Sequence, residues 1–203
     1  MPKTKFQLSK TELKHLFISW LVISIALAFA LTGINENLLM TIPASMLVTA
    51  TAFIFHELAH KYTAIHFGAK AEYRAWMSGL VFALLLAVTV RVVFAAPGAV
   101  YIFGKNISKR ENGLISFAGP ATNIVLGVIF LVLWAFVNPL EGSILGLALM
   151  WGAFINFFLA FFNMIPIGPL DGKKILAWNW MVWTVTFIPL AGIIFLSFFG
   201  TLI

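Results

Sequence analysis

Six stretches of the chain, at about 16–33, 41–66, 78–103, 114–137, 143–165 and 181–203, are apolar over lengths close to or beyond the ~18–20 residues with which a helix crosses hydrocarbon. A small soluble domain accommodates one or two such runs in its core, but not a series from end to end. With 62% apolar and 10% charged residues, the chain also falls far from the roughly quarter-charged makeup of soluble domains. The expected fold is an all-α membrane protein, a polytopic helical bundle with five or six membrane segments. No repeat, low-complexity tract or loop of soluble-domain size interrupts residues 1–203, so a single transmembrane domain is expected, with no appended regulatory module.

Charge supplies the topology. The net charge of +6 comes from basic residues clustered between the apolar runs, where loop charges set orientation, so no nucleic-acid partner is expected. A cytoplasmic N-terminus with Lys3, Lys5, Lys10 and Lys14 sends the first helix out to a turn holding Glu36. The second helix then returns to Lys61, Lys70 and Arg74. Were 78–103 a simple crossing, Lys105, Lys109 and Arg110 would lie outside, against the positive-inside rule. A re-entrant excursion is therefore favoured there, broken at Ala96-Pro97-Gly98, with Arg91 facing a polar cavity, although Leu80 to Val90 is long enough for a true transmembrane helix as the alternative. The next two runs go out to a turn at Glu141 and come back to Lys173 and Lys174, which leaves every Lys and Arg except Arg91 on the cytoplasmic side. A multi-pass membrane protein in contact with the lipid bilayer follows, and the small size without organelle-targeting features suggests a prokaryotic cell membrane. The first run is long for a cleaved leader, and an uncleaved helix is the simpler reading.

The chain has no cysteine, so a metal site would have to be built from His, Asp or Glu. Within the second run stands His56-Glu57-Leu58-Ala59-His60. Two His four residues apart lie one above the other on a helix face and can share one Zn²⁺, with the Glu between them placed to act as general base on water. A five-residue match arises by chance in soluble sequences, but a carboxylate inside a spanning helix costs a few kcal/mol and marks a functional site. His15 and His66 read as structural or interfacial residues.

A catalytic zinc site needs a third protein ligand and an open position. The best candidate is Asp171, in Asn163-Met164-Ile165-Pro166-Ile167-Gly168-Pro169-Leu170-Asp171-Gly172, where two prolines and two glycines interrupt the helix. Counted from an external start near residue 41, His56 and His60 lie roughly 22 to 29 Å along their helix, near the cytoplasmic boundary to which Asp171 also returns.

These motifs, together with Gly119-Pro120-Ala121-Thr122-Asn123 between them, resemble those of the site-2 proteases in order and spacing over about residues 50–175. These are intramembrane metalloproteases that include sporulation-factor processing enzymes and archaeal homologues. The resemblance implies a catalytic core over about 41–175, with one Zn²⁺ per chain held by His56, His60 and Asp171 and with Glu57 activating water. It further implies that Asn123 acts in catalysis or substrate binding, and that Asn163 contacts substrate. On spacing alone, Asn123 could equally be a helix-packing amide. A short membrane-embedded β-hairpin after the zinc helix is also implied, as are the transmembrane segments of other membrane proteins as substrates. A divalent-metal transporter would explain the intramembrane charges without the H-E-x-x-H spacing, and a catalytically silent binder would not need the full ligand set.

Overall fold

A computed structural model describes residues 6–93, 97–103, 106–140 and 143–198. Its helices are α1 (Lys10–Thr32), α2 (Leu38–Thr49), α3 (Phe55–His66), α4 (Met77–Val90), α5 (Lys109–Val137), α6 (Ile144–Met164), α7 (Asp171–Trp178) and α8 (Trp180–Phe198). Strands β1 (Lys70–Ala75) and β2 (Gly98–Phe103) flank α4. Five stretches are long and apolar enough to cross a membrane: α1, the continuous Leu38–His66, α5, α6 and α8. The chain is a multi-pass helical membrane protein.

Local chemistry sets the helix ends. Ser9 accepts from the Glu12 amide and starts α1 a turn before its apolar run. Ser108 and Glu111 form a capping box that likewise starts α5 ahead of its run. Between α2 and α3 the chain widens into a π-helical turn, Ala50–Ile54, which shifts the register with which α3 meets its neighbours. Helix α5 is the hub, packing on α6 most extensively and also on α3 and α7. The core that α5 shares with α6, on which α8 packs in turn, buries Phe130, Phe157, Leu190 and Ile194.

The run at 78–103 leaves and re-enters at one end. Lys70 pairs with Phe103 and Ala75 with Gly98 in an antiparallel ladder, and the Trp76 amide donates to the Pro97 carbonyl (2.8 Å). The strands thus bracket the excursion, whose apolar part is the helix α4 packed on α1. Arg91 departs from the expectation of a polar cavity. It is exposed, caps α4 in a left-handed conformation (φ 57°), and lays its guanidinium against Gly33 at the C-terminal end of α1. A cation there complements the unpaired carbonyls of the helix end.

The outer edge of β1 is held by α1: the Tyr73 amide donates to Glu12 Oε1 (3.0 Å) and the Ala75 amide to His15 Nδ1 (3.3 Å). Glu12 also pairs with Lys61, whose Nζ donates to the Gln7 carbonyl (2.7 Å), and both side chains are buried. This ion pair locks the start of α1 onto α3 one residue past His60. His15 is therefore a structural acceptor, and His66 is exposed with its ring against Phe67.

Candidate metal centre

On α3 the four-residue spacing stacks His56 and His60 with their Nε2 atoms 3.0 Å apart. Asp171 arrives from the other end of the chain. Pro166 and Pro169 keep 165–170 out of helix, and α7 then begins at Asp171 itself. Its Oδ2 lies 3.1 Å from His60 Nε2 and 3.7 Å from His56 Nε2. This first turn of α7 approaches the end of α6 so closely that a Cβ on Gly172 would strike the Met164 carbonyl. The same carbonyl accepts from Trp183 Nε1 on α8 (2.7 Å), so the break in the chain is pinned from both sides. All three side chains are buried.

The proton assignment follows from the partners. His60 Nδ1 faces the Ile115 carbonyl (2.7 Å), which can only accept, so Nδ1 carries the proton. His56 Nδ1 faces Asn123 Oδ1 (2.5 Å). Asn123 Nδ2 is committed as donor to the Ala52 carbonyl (2.8 Å) and Asn156 Oδ1 (2.9 Å), so the atom turned to His56 is the oxygen, and Nδ1 again donates. Neutral imidazoles in this tautomer present bare Nε2 lone pairs. Two such nitrogens and a carboxylate oxygen converge with no donor between them, an arrangement that calls for a cation.

The spacing suits a metal. Ligand atoms ~2.0–2.1 Å from a tetrahedral zinc stand about 3.3–3.4 Å apart, and the three separations here straddle that value. Space is kept for an ion by Gly119, where a Cβ would run into the Nε2 atoms of both His56 and His60. Pro120 lacks the N–H that would donate to the Ser116 carbonyl, next to the Ile115 carbonyl that faces His60. The Gly-Pro-x-x-Asn element thus supplies clearance at Gly119 and a histidine orienter at Asn123. Among the described residues, His56, His60 and Asp171 form the one cluster of three potential ligands.

Glu57 is buried between the two histidines in sequence and lies within electrostatic reach of His56, Asp171 and Lys174. Lys174 Nζ stands 3.5 Å from Asp171 Oδ1, the oxygen turned away from the imidazoles, and is half-exposed at the edge of the site. Burial pushes the Asp171 carboxyl up, but when the facing His60 and His56 carry protons at Nε2 their charge outweighs it and holds the group well below the usual carboxylate range; a metal cation would take the place of those protons.

Both asparagines have hydrogen-bond partners within the protein. Asn123 is wholly buried with both its oxygen and its amide nitrogen on protein partners, because α5 packs that face against α3 and α6. Asn163 is half-buried and turns Nδ2 back onto the Leu159 carbonyl of its own helix (3.1 Å). Sequence reasoning missed the Ile115 and Ala52 carbonyls, the clearance at Gly119 and the buried Asn156. Of these, Asn156 leaves a trace in sequence as one of two amides within the apolar run at 143–165, and Gly119 as a member of the Gly-Pro-x-x-Asn element.

By sequence, the chain is similar to the protein named "Putative zinc metalloprotease MJ0611" of Methanocaldococcus jannaschii, with 41% identity over 187 residues, 92% of this chain and 94% of that one. It is also similar to "Zinc metalloprotease MJ0392" of the same organism, with 27% identity over 166 residues, 81% of this chain and 41% of that one. A Bacillus subtilis relative, YwhC, bears a name of the same form as the first and is 28% identical over 152 residues, 68% of this chain and 69% of its own. No family model and no solved structure matches the chain.

Proposed function

Because the chain belongs to the family of zinc metalloproteases that these relatives represent, we propose that it is an intramembrane protease of the site-2 type. It hydrolyses peptide bonds within or beside the transmembrane segments of other membrane proteins. The observation that carries this reading is the convergence of three buried acceptors, His56 Nε2, His60 Nε2 and Asp171 Oδ2, around a cleared space beside Glu57. In this reading they hold one Zn²⁺. The bound ion would act as a Lewis acid, polarising the scissile carbonyl and making water a nucleophile near neutral pH.

The chain's own groups do the rest. Glu57 takes the proton of the attacking water and passes it to the leaving amine, so no covalent intermediate is needed. Asn123 and the Ile115 carbonyl hold the imidazoles in the tautomer that leaves Nε2 bare. Asp171 supplies the anionic ligand and Lys174 balances its outer oxygen.

A substrate helix satisfies its backbone internally and must unwind locally before a carbonyl can react. Strand β2 has the geometry to replace the lost hydrogen bonds: α1 side chains cover the outer edge of β1, which leaves the outer edge of the ladder on β2. Among the described residues, Lys and Arg other than Arg91 stand at the start of α1, in the second half of α3, in β1 and at the starts of α5 and α7, which favours a cytoplasmic N-terminus and a site opening toward the cytoplasm.

The test is zinc content and cleavage of a transmembrane substrate by detergent-purified protein, wild type against Glu57→Gln. Zinc retained in both, with cleavage reduced by roughly 10²–10⁴ in the variant, is the expected result. Equal cleavage by the two proteins would remove Glu57 from the mechanism.

A further inference from the structure

The buried face of α6 is Ala148, Leu149, Gly152, Ala153, Asn156, Phe157, Ala160 and Met164, apolar except at Asn156. Packing against α5 would be served as well by Leu at that position. An amide in the middle of a spanning helix is disfavoured by the bilayer, and its helix-tying hydrogen bonds contribute only about 0.6 kcal/mol on average. Both asparagines of the contact, Asn156 and Asn123, are fully buried.

The hydrogen bonds form a chain with one direction. Asn156 Nδ2 donates to the Gly152 carbonyl one turn back (2.8 Å), which turns Asn156 Oδ1 outward as an acceptor. That oxygen accepts from Asn123 Nδ2 (2.9 Å), and Asn123 Oδ1 is thereby left for the proton on His56 Nδ1 (2.5 Å). A flipped Asn123 would aim its NH₂ at His56 Nδ1 and its oxygen at two acceptors, the Ala52 carbonyl and Asn156 Oδ1. Asn156 supplies one of the two acceptors that make this flip unfavourable.

We propose that Asn156 is a positioning residue for the metal centre: by orienting the Asn123 amide it sets the tautomer and ring orientation of His56. The proposal rests on the zinc-site reading above. Asn156 acts through Asn123 and touches neither ligand atom nor substrate.

The experiment is chelator-competed zinc affinity of the full chain in detergent, with the visible spectrum of the cobalt-substituted protein and the thermal midpoint recorded alongside. Asn156→Leu keeps the heavy-atom count and branching but removes the acceptor, and is expected to weaken zinc roughly tenfold, at the lower end of the effect of removing a group that orients a ligand. A change in cobalt band positions or intensities is expected with it. Asn156→Asp, protonated by burial, keeps a carbonyl acceptor for Asn123 and a donor for Gly152, and restores affinity to within about threefold of wild type. Ser24→Ala removes another buried contact, the 2.5 Å bond to Thr49, and lowers the thermal midpoint without moving zinc affinity. Should Asn156→Leu not fold, Asn156→Ser retains the bond to Gly152, cannot reach Asn123, and carries the same expected loss. Unchanged zinc affinity in the variant lacking the acceptor, or an equal loss in Ser24→Ala, overturns the proposal. A wild type that binds neither zinc nor cobalt overturns the zinc-site reading itself, and the proposal with it.

Discussion

Replacing Gly119 by Ala separates the metal centre from the fold. A Cβ there would stand 2.6 Å from both His56 Nε2 and His60 Cε1, and closer still to His60 Nε2. Ordinary contact begins near 3.4 Å, so the rings must give by most of an ångström. Metal–ligand distances tolerate only about 0.2 Å. Zinc affinity should therefore fall by about 100-fold or more, about 2.7 kcal/mol. The helix itself gains, since Ala is the better helix former by about 1 kcal/mol, against roughly 1–3 kcal/mol for overpacking. The expected phenotype is a folded protein with a damaged site: chelator competition reports the lost affinity while the thermal midpoint of the metal-free protein moves by only a few degrees. Zinc affinity within threefold of wild type would refute the argument that Gly119 provides the clearance.

Further outcomes follow from the same structure. Lys61→Met leaves the Glu12 carboxylate buried without its partner and should destabilise the fold by about 3–5 kcal/mol in thermal or denaturant unfolding, whereas adding Glu12→Leu should recover much of the loss. Zinc affinity should fall as pH is lowered, because protons compete for the Nε2 lone pairs that hold the ion. The Asp171 carboxyl is held below its ordinary value, so its contribution is present above that value and disappears only at much lower pH. Zinc affinity that did not fall with pH would contradict this order. Under the proposed protease function, Gly, Pro or Asn near the scissile bond should speed cleavage of a transmembrane substrate and Leu or Ala there should slow it; a substrate series with rates independent of helix stability would count against unwinding.

The parts legible in sequence are those governed by local or one-dimensional rules. Apolar length announces the spanning helices, and the positions of Lys and Arg anticipate the excursion whose two ends β1 and β2 join. His56, Glu57 and His60 are legible because a four-residue spacing on one helix places side chains together whatever the rest of the chain does. Asp171 could be nominated as a carboxylate in a broken helix, but its distance to the imidazoles depends on how α7 docks on α5 and α6. For the groups that prepare the histidines, even nomination fails. The Ile115 and Ala52 carbonyls belong to every residue type alike, and Gly119 shows its purpose only when both imidazoles stand against it. Asn123 in sequence is compatible with substrate contact or packing, and only the crossing of α3, α5 and α6 turns its amide onto His56, Ala52 and Asn156. Sequence by itself determines which segments enter the membrane and which side chains can bear the chemistry, because solvation and helix periodicity act along the chain. Tertiary structure alone decides the proton positions and the clearance between the ligands, because those depend on distances of a few tenths of an ångström between helices far apart in sequence.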